Sequence, residues 1–240
     1  MVQTDNIIPL IICGPTASGK SDIAIEAAHL LNGEIISADS MQIYKGLNIG
    51  TAKINMSETD IPHHMIDIIE PSENFSVAEY KEWAQKIIKE IITARGRIPI
   101  ISGGTGLYIN ALIYDYDFIN IQSEPKLKYH AIGLKVDRAE LYSRINLRVE
   151  HMFKNGLTEE VRKVLTKINF DAQSMRAIGY KEFKDYFDGK ITEAGLIKLI
   201  QQNTRNYAKR QITWFKKSPG IIWCTPDNAI PTIKNLYGIK

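Results

Sequence analysis

The segment Gly14-Pro15-Thr16-Ala17-Ser18-Gly19-Lys20-Ser21 follows G-x-x-x-x-G-K-[ST]. Glycines at these positions let backbone N–H groups turn inward around phosphate oxygens, and the start of the following helix adds a favourable dipole. Lys20 adds a mobile positive charge, and the Ser21 hydroxyl is placed to ligate Mg²⁺. The pattern predicts a bound diphosphate or triphosphate without saying which. A nucleotide hydrolase adds a second apolar strand ending in Asp to hold the metal. Here the apolar run 98–102 leads into Ser-Gly-Gly-Thr, and Met65-Ile66-Asp67 is a weaker candidate. The loop is therefore also compatible with holding a diphosphate and hydrolysing no nucleotide.

Other polar residues fall where such a site could use them. Ligands of an open parallel sheet sit beyond the carboxyl ends of its strands. Asp39, Ser40 and Gln42 follow one apolar run and Thr105 follows another. Asp39 could support a Mg²⁺-bound water, act as a general base or cap a helix; Thr105 reads first as a helix cap. Adjacent His63 and His64 cannot face one metal together, so a structural or loop-positioning role is expected. Arg176 suits either an anion or the surface. Arg205, Lys209, Arg210, Lys216 and Lys217 occupy a stretch without acidic residues, interleaved with Tyr207, Trp214 and Phe215. This is a composition for phosphate contacts and base stacking. The alternative is a solvated helix face with Trp214 in the core.

The elements that must position these groups are legible from apolar periodicity. Strands are predicted at 7–13, 34–37, 98–102, 131–136 and 221–224. Helices are predicted at 21–31, 76–94 (with Ser76 and Glu79 as a capping box), 105–113, 138–154, 158–168, 174–187 and 192–214. Strand, turn and helix repeat three times in the first half. That predicts an α/β fold, a P-loop NTPase-like parallel sheet flanked by helices, with a helical C-terminal half. Residues 1–240 are expected to form a single P-loop core domain.

The chain has 240 residues, 44% hydrophobic and 24% charged, enough for a sizeable core and unlike a disordered or fibrous chain. No apolar run approaches membrane-spanning length, and residues 1–6 do not resemble a signal peptide. Two cysteines, Cys13 and Cys224, exclude a disulfide framework and a cysteine zinc site. A cytoplasmic location is expected. The net charge of +3 is too mild to identify a nucleic-acid partner by itself.

Several motifs occur in order: the P-loop; Ile35-Ile36-Ser37-Ala38-Asp39-Ser40-Met41-Gln42-Ile43-Tyr44; Asn48-Ile49-Gly50-Thr51-Ala52-Lys53; and Pro62-His63-His64-Met65-Ile66-Asp67. Ser102-Gly103-Gly104-Thr105-Gly106-Leu107-Tyr108, Arg176-Ala177-Ile178-Gly179-Tyr180-Lys181-Glu182 and the stretch 204–214 follow. Together they resemble the tRNA dimethylallyltransferases, or tRNA isopentenyltransferases, over most of the chain. The resemblance implies transfer of a dimethylallyl group from dimethylallyl diphosphate to N6 of adenosine 37, in the anticodon loop of tRNA, within a channel through a P-loop core. It implies Asp39 as general base and Asp39, Ser40, Met41 and Gln42 as a tRNA-contacting stretch. Thr105 becomes a second contact to the target nucleotide. Gly14 through Ser21 and Arg176 would hold the diphosphate, with Mg²⁺ at Ser21. Lys181, Arg205, Lys209 and Arg210 would meet tRNA.

A monomer with no membrane partner is expected. Full-length members carry a helical insertion after the Gly-Gly-Thr-Gly-Leu-Tyr motif; here only about 114–130 stands in its place, so weaker or altered tRNA binding is expected. Alternatives are transfer to free AMP, ADP or ATP, a catalytically weakened tRNA-binding relative, and a small-molecule kinase.

Overall fold

A computed structural model describes residues 7–114 and 125–240. Residues 1–6, and 115–124 of the segment expected to replace the insertion, lie outside the described residues. Six parallel strands form one sheet in the order β3-β2-β4-β1-β5-β6. They are β1 (Leu10–Cys13), β2 (Gly33–Ser37), β3 (His63–His64), β4 (Ile98–Gly103), β5 (His130–Leu134) and β6 (Ile222–Cys224). The helices are α1 (Lys20–Leu31), α2 (Val77–Thr93), α3 (Gly106–Ile113), α4 (Arg138–Lys154), α5 (Leu157–Leu165), α6 (Phe183–Phe187), α7 (Glu193–Phe215) and α8 (Pro226–Tyr237).

The central strand β1 is buried on both faces, and its alternating side chains feed two cores. Leu10 and Ile12 pack with Ala24, Ala27, Ala28 and Leu31 of α1 and with Ala229 and Ile233 of α8. Ile11 and Cys13 face the larger core, which takes in α2, α3 and the helices of the second half. The Ser76–Glu79 capping box forms as the sequence predicts. Asn32 ends α1 in the left-handed conformation (φ 50°).

One expectation needs correction, and two elements form that the sequence does not predict. No helix spans 174–187: Gln173–Arg176 is a 3₁₀ turn, Gly179 takes φ +94°, and helix resumes only at α6. The Glu182 carboxylate accepts the Gly179 N–H at 2.9 Å and stabilises the turn in its place. The histidine pair forms the edge strand β3, paired with Ile35 and Ile36 of β2. The C-terminal segment forms α8, which starts with Pro226 in its first turn and tolerates Pro231 inside.

Candidate active site

All strands point their carboxyl ends to one side, and the P-loop, the 39–42 loop and the 103–105 turn meet there. Ala17 (φ 62°) and Gly19 (φ 88°) are both left-handed, the kind of alternation that turns successive N–H groups into an anion cradle. Lys20 Nζ donates to the Pro15 carbonyl at 2.7 Å. Burial and the neighbouring Arg148 push its pKa down to about 8, with Asp39 opposing. Ser18 Oγ is buried with no hydrogen-bond partner.

The 103–105 turn comes unusually close to β2. A Cβ at Gly103 would collide with the Ala38 backbone. The approach lets Thr105 N–H donate to the Ala38 carbonyl at 3.0 Å. Thr105 occupies the N-cap position of α3, but its hydroxyl makes no cap bond. Instead Thr105 Oγ1 accepts the Ser40 N–H at 3.1 Å, tying the two loops together. Asp39 Oδ1 accepts the Met41 N–H at 2.9 Å.

Two cavities adjoin here. The larger, about 690 Å³, is lined by Thr16 through Asp22, Asp39, Gln42, residues of the 48–53 loop, Gly103, Gly104 and the Arg144, Arg148 and His151 face of α4. The smaller, about 250 Å³, is lined by Ser40, Met41, Ile145, Val149, Ile178 and Ile200, with Arg176, Lys181 and Arg210 as its charged residues besides those it shares with the larger. Thr16, Asp39, Thr51, Arg148, Met152 and Tyr207 line both. Asp39 therefore stands where the P-loop cavity meets the smaller one.

The structure brings the P-loop from Thr16 onward, Asp39 through Gln42, Arg176, Lys181 and Arg210 to these cavities. Gly14 and Pro15 lie buried beneath the loop. Arg176 opens onto the smaller cavity, not the P-loop cavity. Arg205 and Lys209 line neither: Arg205 donates to Asn146 Oδ1 at 2.6 Å, and both approach Tyr142. Trp214 is 43% exposed over Gly106, so the reading that puts it in the core does not hold. Asp67, the weaker candidate for a metal carboxylate, is paired with Lys53 Nζ at 2.6 Å.

Sequence reasoning missed two groups that complete the site. Arg148 donates to Thr16 Oγ1 at 3.3 Å; burial lowers its pKa, and Asp39 opposes that. It lies on the stripe that also carries Leu141, Ile145, Val149 and Met152, and a charge on an apolar stripe was the available signal. Gln211 of α7 is buried; its Oε1 accepts the Thr16 N–H at 2.8 Å and its Nε2 donates to the Gly104 carbonyl at 3.0 Å. It clamps the P-loop to the 103–105 turn. Tyr207, one turn earlier, lies against Thr105 and Gln211; burial and Asp39 push its pKa up to about 12.

Comparison with known proteins fits this arrangement. The family model "IPP transferase" matches residues 42–128 and 117–218. A tRNA dimethylallyltransferase of Anoxybacillus flavithermus is 41% identical, with 89% of each chain covered. This chain belongs to the IPP transferase family. A Bacillus subtilis tRNA dimethylallyltransferase is 38% identical, again with 89% of each chain covered. The crystal structure of a full-length tRNA isopentenylpyrophosphate transferase from Bacillus halodurans superposes with a TM-score of 0.90 at 35% identity, covering 97% of this chain and 96% of that one. The Anoxybacillus alignment runs over 277 positions, more than the 240 residues here, so that member of the family carries residues with no counterpart in this chain. The two matched pieces of the family model overlap at 117–128.

Among the described residues no helix is long and apolar enough to cross a membrane. No cluster of three or more His, Cys, Asp or Glu side chains there could hold a metal ion. The residues present fit a Mg²⁺ ion held mainly by substrate, as is usual for this ion with phosphates. The exposed Ser21 hydroxyl would supply a protein ligand, and the orphaned Ser18 hydroxyl lies in the same cradle.

Proposed function

We propose that this chain transfers the dimethylallyl group of dimethylallyl diphosphate to N6 of adenosine 37 in tRNA. The observation that carries the reading is Asp39, placed on the boundary of the two cavities. The diphosphate occupies the P-loop cavity. The flipped adenine approaches through the smaller cavity, past Arg176, Lys181 and Arg210. An anticodon loop presents that base at little unstacking cost.

The adenine amine is a poor nucleophile because its lone pair is delocalised into the ring. Asp39 accepts the N6 proton as the N6–C1 bond forms and the C1–O bond breaks, and the bond pair leaves on the diphosphate. A positioned base contributes roughly 10²–10⁴ in rate. The P-loop N–H groups, Lys20 and Arg148 stabilise the charge that develops on the leaving group. Mg²⁺, when bound, supplies further charge neutralisation there. Gln211 and Thr105 hold the two loops at fixed separation and exclude slack from the reacting geometry. The enzyme is read as cytoplasmic and monomeric.

The deciding experiment incubates the chain with labelled dimethylallyl diphosphate, Mg²⁺ and either tRNA or AMP. Label on tRNA at the adenosine next to the anticodon is expected. Label on AMP alone would make the free nucleotide the acceptor, and no transfer to either would remove the reading.

A further inference from the structure

The loop over 48–53 lines both cavities, Asn48, Ile49, Thr51, Ala52 and Lys53 on the larger side and Gly50 and Thr51 on the smaller. It is tightly folded on itself: Thr51 Oγ1 donates to the Leu47 carbonyl at 2.5 Å, and Lys53 N–H to the Asn48 carbonyl at 3.0 Å. Its outward face is held from another part of the chain. Three successive amides, Asn48, Ile49 and Gly50, donate to the Glu160 carboxylate of α5 at 2.8, 2.8 and 3.2 Å. The buried Tyr180 hydroxyl donates to the same carboxylate at 2.6 Å. The Tyr180 ring lies directly on Gly50, where a Cβ would collide with it.

Tyr180 belongs to the opposite wall, the turn that presents Arg176 and Lys181 to the smaller cavity. That turn is itself fixed to α7, since Glu182 accepts the Gly179 N–H at 2.9 Å and Asn203 Nδ2 at 2.7 Å.

We propose that Glu160 and Tyr180 are positioning residues that lock the 48–53 loop to the 176–181 turn and so fix the width of the adenine-side entrance. The inference rests on the function proposed above and assigns a task to residues that touch neither substrate. A carboxylate that gathers three backbone donors and a phenol is the only anchor described between these two segments that uses charge-assisted bonds, roughly twice as strong as neutral ones. Slack at this joint leaves the P-loop, held separately by Gln211, in place, but shifts the wall that the loop gives to both cavities and so misplaces the acceptor against the donor. A misplacement of about 1 Å can cost on the order of 10²-fold in rate.

The test compares wild type with Glu160→Gln and Tyr180→Phe by steady-state transfer to tRNA, thermal melting and amide hydrogen exchange. In Glu160→Gln, exchange at Asn48, Ile49 and Gly50 is expected to speed up about 10- to 100-fold, the equivalent of losing a charged hydrogen bond. Transfer kcat should fall about 10- to 100-fold, and the tRNA KM should rise more than the dimethylallyl diphosphate KM. Tyr180→Phe, which removes only the hydroxyl, should show the same pattern more weakly and keep the fold if Glu160→Gln fails to express. A lower melting temperature with kcat per folded molecule and both KM values unchanged would make the pair merely structural and overturn the proposal. So would wild-type exchange at the three amides. If wild type itself labels no tRNA, the proposed function fails, and the exchange measurement still decides whether Glu160 holds the loop.

Discussion

Strand β2 carries a carboxylate near each end, and the two live in opposite circumstances. Glu34, at the amino end, has a side chain only 2% exposed. It receives His64 Nε2 at 2.7 Å, Arg95 Nη1 at 2.5 Å and Arg97 Nη1 at 3.2 Å. Burial raises its pKa, but hydrogen bonds from His64 and Arg95 outweigh that and hold it below the ordinary value. Asp39, just past the carboxyl end, accepts one backbone N–H and otherwise faces open space between two cavities. A buried carboxylate held by three charged or ring donors stabilises; one that accepts a single amide and faces open space can accept a proton. Burial of charge marks structure at one end of the strand, and unmet capacity marks chemistry at the other.

The largest effect expected from this contrast is on Asp39→Ala. Its kcat should fall by roughly 10²–10⁴, with the dimethylallyl diphosphate KM and the melting temperature nearly unchanged. Steady-state kinetics beside calorimetry checks both halves, and an unchanged rate would reduce Asp39 to a turn-former. Glu34→Ala should do the reverse. Breaking a buried ion pair costs about 3–5 kcal/mol, but Arg95 and Arg97 are 38% and 39% exposed and can turn to water, so about 2–3 kcal/mol is expected. The rate per folded molecule should hold. Because the folded-state pKa of Glu34 is depressed, its contribution is complete above about pH 4.5 and is lost as pH falls through the lower folded value. Denaturation curves of wild type and Glu34→Gln should therefore converge in acid; a constant gap would contradict the assignment.

Arg148 tests whether the chemical end has its own cation. Arg148→Ala removes a guanidinium shared by Thr16 and the Asp39 boundary, and should raise the diphosphate KM about 10- to 100-fold by the loss of a charge-assisted contact. An unchanged KM would return Arg148 to packing. Lys20 gives a smaller, pH-dependent signal. Its pKa of about 8 means it is charged below that pH and neutral above it. Affinity of the free enzyme for the diphosphate should weaken as pH rises through 8, and calorimetric titration should show no such inflection in Lys20→Arg, whose guanidinium stays charged.

The two ends of β2 were not equally legible. The P-loop announces itself because backbone geometry demands glycine at fixed spacing, and Asp39 follows from the rule that ligands gather at strand ends. Arg148, Gln211 and Glu160 do not announce themselves, because each acts across more than a hundred residues of sequence, on Thr16, on Thr16 and Gly104, and on the 48–50 amides. Their helices were predicted, but which polar residue on an amphipathic helix turns inward depends on tertiary packing. Thr105 looked like a cap by local preference, and tertiary contact redirected its hydroxyl to Ser40. β3 has two residues, too few for periodicity, and exists only because β2 offers it an edge. α8 was hidden by Pro231, which local rules place outside helices. The expected 174–187 helix had helical spacing but not helical dihedrals, since Gly179 gives the turn that brings Tyr180 onto Gly50.

The smallest effect concerns the outer face of α7, where the structure separates charges that the sequence groups together. Arg210 lines the smaller cavity and lies 5.6 Å over the Tyr207 ring. Lys209 points away beside Tyr142, and neither side chain has an acidic partner among the described ion pairs. Phosphate contacts from such exposed cations release counterions, so each one adds about 0.7–0.9 to the salt slope of RNA binding. Lys209→Ala/Arg210→Ala should weaken tRNA binding several-fold at low salt and lower that slope by about 1.5, leaving the diphosphate KM alone. Arg176→Ala opens the same cavity from the other wall. If Arg176 reaches the diphosphate through Asp39's boundary, its loss raises the diphosphate KM; if it meets tRNA, it changes the salt slope with the α7 pair. Filter binding across a salt series, run beside diphosphate kinetics on both variants, assigns Arg176 to one side of Asp39 or the other. A double variant that binds tRNA with wild-type slope would leave Lys209 and Arg210 as solvated charges on a helix face.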